Sequence, residues 1–190
     1  MLLLYGRVRW HDATGMVEKK SELCSNSPVK TSIYIGLGSN EGDRELHLLR
    51  AVAELGRLPA TKITALSPFY NTEPVGAVPQ ADFLNAVVKL SSALTPHQLL
   101  VELQRIETTV FRRTRIVPGG PRAMDLDILL YDDLVLSGEE LTIPHPRLHE
   151  RRFVLQPLAD IAPDQIHPVL GKSVAELLAS VKTKCRVVKV

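Results

Sequence analysis

Gly119-Gly120-Pro121-Arg122-Ala123-Met124-Asp125-Leu126-Asp127-Ile128-Leu129-Leu130-Tyr131 is the stretch on which the reading of this chain turns. As a strand, it alternates between two faces. Asp125 and Asp127 share one face, and Met124, Leu126, Ile128 and Leu130 fill the other. Two carboxylates entering an apolar strand are costly to desolvate unless positive charge stands between them. Oxygen-only ligation suits a hard cation such as Mg²⁺, which keeps waters and shares its remaining positions with phosphates. Arg122, with Arg112, Arg113 and Arg115 before it, supplies cationic groups that a polyphosphate needs. A solvated aspartate pair at a strand entrance is the plain alternative, and the clustered arginines weigh against it.

Working outward, the spacing predicts a strand over Ser32–Leu37 that runs into Gly36-Leu37-Gly38-Ser39-Asn40. That glycine pair continues neither as a P-loop lysine motif nor as G-x-G-x-x-G, so a strand-to-helix turn is expected rather than a phosphate cradle. Asp43 caps a helix with Leu48, Val52 and Leu55 on one face and Gly56 as its stop. A strand over Ile63–Tyr70, a Pro/Gly loop over Asn71–Ala81 and a strand over Phe83–Leu90 follow. Thr95-Pro96-His97-Gln98 opens a second helix with a capping box, its buried stripe being Leu99, Leu103, Ile106 and Val110. Phe111–Gly120 is irregular, and Tyr131–Val135 begins a hairpin with Asp132 and Asp133 in its turn. Pro144–Pro163 holds a short helix, and Ser173-Val174-Ala175-Glu176 starts a last one. This β-α-β-β-α-β order predicts an α+β fold: a ferredoxin-like α/β sandwich with a mainly antiparallel sheet.

Residues 1–31 show neither a period of 2 nor one of 3.6 and read as a flexible extension; residues 32–190 form one patterned domain. Composition is that of an ordinary soluble protein, 45% hydrophobic and 23% charged. A net charge of +2 and an aromatic content of 5% argue against a dedicated nucleic-acid binder. No apolar run approaches a membrane span, and Cys24 and Cys185 suggest neither a disulfide framework nor a metal site. A cytoplasmic monomer is expected.

Taken together, the motifs resemble the 6-hydroxymethyl-7,8-dihydropterin pyrophosphokinase family of folate biosynthesis. The resemblance rests on Ile35–Asn40, Phe69-Tyr70-Asn71-Thr72-Glu73-Pro74, Phe83-Leu84-Asn85-Ala86, and Gln104-Arg105-Ile106-Glu107. It continues through Gly120-Pro121-Arg122, Asp125-Leu126-Asp127-Ile128-Leu129, Ile143-Pro144-His145-Pro146, Arg151 and Phe153. It implies transfer of pyrophosphate from ATP to the pterin hydroxymethyl group, releasing AMP. Asp125 and Asp127 would hold two Mg²⁺ ions with ATP, and Arg112 and Arg122 would clamp the phosphates. Thr72, Val75, Phe83, Asn85 and Phe153 would bind the pterin, the two phenylalanines as plates about its ring. Gln104, Glu107, Arg122, Ile128, His145 and Arg151 would bind ATP.

The chain departs from many relatives at Phe111, where Gly is frequent, at Thr114, where a second Arg is, and at Gly119, where an aromatic is. Glu140 is acidic where some relatives place a basic residue. These leave open whether Arg112 or Arg113 reaches the phosphates. The competing reading is a catalytically impaired relative, or a ferredoxin-like module that binds a ligand or RNA.

Overall fold

The computed structural model describes residues 31–76, 78–112, 120–182 and 185–190. The expected extension over 1–31 therefore lies outside the described residues, apart from Thr31. Strand β1 (Thr31–Ser39) is followed by helix α1 (Arg44–Gly56), whose first turn is closed by the Asp43 side chain accepting from Leu46 N. Strands β2 (Thr61–Leu66) and β3 (Tyr70–Thr72) lead into the long strand β4 (Phe83–Ser92). Helix α2 (Pro96–Arg105) carries the expected capping box between Thr95 and Gln98 and widens at its end into a π-turn over Ile106–Val110. Strand β5 (Asp125–Tyr131) bears the aspartates. A small hairpin, β6 (Leu136–Ser137) with β7 (Thr142–Ile143), precedes helices α3 (Arg152–Ile161) and α4 (Val174–Ser180) and strand β8 (Val187–Lys189).

The sheet order is β5-β1-β4-β3-β8, with β2 also on β4, and each of these pairings is antiparallel. Counting β2 and β3 as one interrupted strand gives the order of a split βαβ fold, as expected. The Ile63–Tyr70 segment is broken because Pro68 has no N–H for the ladder. Ser67 ends the first piece by bonding Val87 through both its N–H and its hydroxyl, each at 2.9 Å. Gly56 closes α1 as its last residue, with Arg57 as the cap. The hairpin is displaced from its expected position. Asp132 and Asp133 turn the chain out of β5, and the paired strands come later, Leu136 facing Ile143.

Two cores flank the sheet. Ile33, Ile35 and Leu37 of β1 pack with Leu48 and Leu55 of α1 and with Leu99, Leu103 and Ile106 of the α2 segment. On the other face, Tyr34, Val87, Leu129 and Leu130 pack with Val154, Leu155 and Leu158 of α3 and with Val174 and Leu177 of α4. The sandwich thus has a second helical layer on its far side. Leu130 does not share a face with Leu126 and Ile128. The β1–β5 register passes from Ile35 opposite Ile128 to Tyr34 opposite Leu130, so a bulge at Leu129 reverses the alternation.

Buried Tyr70 ties β3 to α3 by donating its hydroxyl to Asp160 Oδ2. Burial, then the Asp160 carboxylate, pushes the phenol up to about 12. A raised folded value means its contribution is complete below the ordinary value near 10 and is lost as pH rises towards 12. Between pH 9 and 12, the wild type should lose about 2–3 kcal/mol more stability than Tyr70→Phe. Urea denaturation across that range measures the difference, and parallel curves would refute the assignment.

Candidate active site

The sheet face that carries Tyr34 and Val87 is not fully covered by α3 and α4. Beyond them lies a cavity of about 350 Å³. Its floor is set by strand register. Asp127 stands opposite Gly36 and Asp125 opposite Gly38, so each carboxylate faces a position without a side chain. The two glycines are strand residues, and the turn that follows them is not the site. Even a methyl group at Gly36 would press on the Leu129 side chain at 3.3 Å, and one at Gly38 would meet Asn85 Oδ1 at 2.9 Å.

Arg122 and Arg151 stand over the carboxylates. Arg122 Nε lies 3.3 Å from Asp125 Oδ2, and Arg151 Nη1 lies 3.9 Å from Asp127 Oδ2. The Arg122 contact is an ion pair without hydrogen-bond geometry, so this buried Nε remains an unsatisfied donor among the described residues. Such a donor suits an anionic oxygen. Asp127 is pushed up to about 6, first by desolvation and then by the Asp125 charge, against the opposing pull of Arg151. Its side chain is 42% exposed and lines the cavity beside these charged groups. Two carboxylates ringed by fixed cations fit a hard cation that takes its other ligands from water and phosphate. Among the described residues, no group of three or more His, Cys, Asp or Glu forms a complete metal cage.

His145 follows the β7 end, its backbone N–H donating to Leu129 O at 2.9 Å. Its Nδ1 accepts from Arg147 N at 3.1 Å, and Nε2 lies 3.4 Å from Arg151 Nη1. Burial, then Arg151, lowers the imidazole to about 4, so the ring is neutral at pH 7. A neutral imidazole accepts at one nitrogen only, so the bonds from Arg147 N to Nδ1 and from Arg151 Nη1 to Nε2 are alternatives set by the ring's tautomer.

The other half of the cavity is aromatic and amide-lined. Phe83 and Asn85 come from β4, Thr72 from β3, Val75 from the following loop, and Phe153 from the start of α3. Asn85 Nδ2 donates to Thr72 Oγ1 at 2.7 Å, both residues being buried. The Arg122 guanidinium carbon lies 5.2 Å from the Phe83 ring centroid, and that of Arg151 lies 5.7 Å from Phe153. Each arginine therefore touches one carboxylate and one ring.

Of the residues singled out from sequence, Thr72, Val75, Phe83, Asn85, Arg122, Asp125, Asp127, His145, Arg151 and Phe153 line this one cavity. Four do not. Gln104 is exposed on α2, and the Ile128 side chain is buried in the opposite core, because it alternates away from Asp127. Buried Glu107 instead accepts from Leu126 N at 2.8 Å, sealing the outer edge of β5 from the π-turn. Arg112 is exposed, with φ +49°, while Arg113, Thr114, Arg115 and Gly119 lie outside the described residues. Phe111 is buried, its ring edge-on to His47 at 5.6 Å and beneath Arg50. Glu140 is exposed and does not line the cavity.

Sequence reading missed Asn40, Gln80 and Arg147. Gln80 and Arg147 line the cavity. Buried Asn40 exchanges two bonds with Arg122, through Asn40 N to Arg122 O (3.1 Å) and Arg122 N to Asn40 Oδ1 (2.8 Å). Its Nδ2 also holds Gln80 Oε1 at 2.9 Å and Ala81 O at 3.2 Å. The Asn at the end of the Gly-x-Gly strand was a visible signal, but its partners lie 40 and 82 residues away.

A protein-family model described as 7,8-dihydro-6-hydroxymethylpterin-pyrophosphokinase (HPPK) matches residues 34–163. The chain belongs to this family. The 2-amino-4-hydroxy-6-hydroxymethyldihydropteridine pyrophosphokinase of Bacillus subtilis is 50% identical over 128 residues, covering 67% of this chain and 76% of that protein. The Aquifex aeolicus protein of the same name is 38% identical over 161 residues, covering 84% of this chain and 99% of that one. The folic acid synthesis protein fol1 of Pneumocystis carinii is 40% identical over 167 residues, but the match spans only 22% of its length. A solved Plasmodium falciparum HPPK-DHPS structure shares the fold, with TM-score 0.63 and 17% identity over 82% of this chain and 46% of that one. Among the described residues, no helix of this HPPK-family chain is long and apolar enough to cross a membrane.

The raised Asp127 value also predicts a stability effect. A carboxyl whose folded value lies above its unfolded value near 4 contributes fully below pH 4 and loses that contribution as pH rises through about 6. In metal-free buffer at pH 7, Asp127→Asn should therefore have a higher thermal midpoint than wild type, and the gap should close below pH 4. A lower midpoint at pH 7 would show that the arginines outweigh desolvation.

Proposed function

We propose that this chain transfers pyrophosphate from ATP to the hydroxymethyl group of 6-hydroxymethyl-7,8-dihydropterin, releasing AMP, in folate biosynthesis. One observation carries the reading. The glycine-backed carboxylate pair, with its arginines, opens on the same cavity as Phe83, Asn85, Thr72 and Phe153. An anion-stabilising half and a heteroaromatic-binding half therefore share one space.

In this reading, Asp125 and Asp127 would hold two Mg²⁺ ions with ATP, which would supply neutralisation of phosphate charge and polarisation of its oxygens. The pterin hydroxyl oxygen forms a bond to the β-phosphorus while the α–β bridging oxygen leaves with AMP, and the hydroxyl proton passes to solvent. Charge grows on phosphoryl oxygens during that displacement. The orphaned Arg122 Nε and the Arg151 guanidinium are the donors fixed to meet it, with His145 packed against Arg151. Asn85 donates and accepts at a pterin edge, its amide held by Thr72. Phe83 and Phe153 supply ring faces. The reducing, cytoplasmic setting expected from the cysteines belongs to the same reading. An RNA-binding module would need an open sheet face for base stacking, and α3 and α4 pack over this one beside the cavity.

Incubation with ATP, Mg²⁺ and the hydroxymethyl dihydropterin should give pterin-dependent AMP. Pterin-dependent ADP would make the chain an ordinary kinase, and no pterin-dependent turnover would favour a binding module. Asp125→Asn and Asp127→Asn should each lower kcat by about a hundredfold or more while the fold survives, as when one preorganised stabilising group is removed. Near-normal rates at saturating Mg²⁺ would remove both from the metal role.

Phe153→Ala should weaken pterin binding in the presence of a non-hydrolysable ATP analogue by about tenfold, the scale of an aromatic contact plus its buried area. Its effect on the analogue alone should be within about twofold by calorimetry. The reverse pattern would place Phe153 in the nucleotide half.

A further inference from the structure

We infer that Arg186 is a positioning residue for the loop between β3 and β4, clasping that loop shut at its base from a C-terminal strand beyond the family match. The inference rests on the reading of the cavity as the pterin site. The matched region ends at residue 163, and β8 lies after it. β8 pairs with β3, Thr72 opposite Val187 and Tyr70 opposite Lys189. One step further along, Glu73 N donates to Arg186 O, and Arg186 N donates to Glu73 Oε2, both at 3.2 Å.

The guanidinium then spans the loop. Its Nε lies 3.4 Å from Glu73 Oε1 at the loop's start, and its Nη2 lies 3.1 Å from Asp82 Oδ2 at the loop's end. Asn71 Nδ2 reaches the same Asp82 Oδ2 at 3.3 Å. Between those stems, Val75 and Gln80 line the cavity, as Glu73 itself does. The planar guanidinium fork presents several donors in fixed directions and so bridges two carboxylates, which a point charge on a flexible stem does less well. At 60% exposure, Arg186 gains little from either pair as an isolated ion pair. Its consequence is geometric. The β3–β4 ladder already sets Thr72 opposite Phe83, and Arg44 Nη1 ties Asn71 Oδ1 to Asp82 O. Arg186 adds the side-chain bridge from Glu73 to Asp82 that restrains the height of Val75 and Gln80 over the pterin half of the cavity, where small misplacements are costly. The metal-binding half, on β5 and the segment before it, is not touched by this clasp.

The test uses the full-length protein and Arg186→Ala. By hydrogen–deuterium exchange, amides in residues 73–82 should exchange about fivefold faster in the variant, while β5 amides stay unchanged. Because the pairs are exposed, 0.5 M NaCl should move the wild type toward the variant and leave the variant where it is. In steady-state assays, KM for the pterin should rise about fivefold, a factor equivalent to about 1 kcal/mol, with KM for ATP and kcat within about twofold. Unchanged exchange over 73–82 overturns the clasp, as does a pterin KM that stays put or rises only in step with that of ATP. If the wild type makes no pterin-dependent AMP, the functional reading fails instead, and the exchange measurement alone decides the clasp.

Discussion

The cavity depends on one register, that of β1 against β5. Asp125 and Asp127 project from a sheet face that is otherwise apolar and packed, and they are tolerable there only because Gly38 and Gly36 stand opposite. Side chains at those positions would fill the space over the carboxylates. At Gly38, an added Cβ would sit 2.9 Å from the Asn85 amide and displace it from Thr72. A slip of one residue would turn both aspartates into the core formed by Ile35, Leu37 and Leu103. The Leu129 bulge then ends the polar run. Beyond it, the same face carries Leu129 and Leu130, against which α3 and α4 pack. Floor and lid of the cavity are thus written into a single strand pair.

The electrostatics follow from that enclosure. Desolvation and mutual repulsion push Asp127 up, while Arg151 and Arg122 pull it back. The arginines are in turn placed without a full complement of partners: Arg122 Nε makes no hydrogen bond, and burial holds Arg151 below its usual range. A folded protein optimised only for stability would pair such groups more completely or replace them. An orphaned arginine donor and a carboxylate held above its usual range in one cavity are what an added polyanion and its cations would relieve together.

Much of this was legible in the chain. The caps at Asp43, Thr95 and Ser173, the β-α-β-β-α-β order and the shared face of the aspartates all follow from local rules, and local rules hold where the contacts are local. The failures have non-local causes. The alternation argument carried Leu130 to the wrong face because the bulge is imposed by pairing with Tyr34 and Ile35, which sequence spacing does not show. The glycine pair looks like part of a turn to any local rule, because its meaning lies across the sheet in Asp125 and Asp127. Asn40 gave no periodic signal, since its four bonds run to segments distant in sequence. Strand β8 is three residues long and exists through its partner β3, so no pattern within it announces a strand.

Glu107, expected at the nucleotide, sits outside the cavity. It belongs to a helix by every local measure, yet α2 opens into a π-turn at Ile106, and the wider turn brings its carboxylate against β5. There it accepts the N–H of Leu126, a donor left over because β5 is an edge strand with β1 on one side only. An unpaired edge invites pairing with another chain, and a buried carboxylate on that edge blocks it. The same carboxylate adds negative charge near Asp127 and helps hold that group's value up. Glu107 therefore acts on the carboxylate pair through the strand that carries it, from behind the site and without lining the cavity.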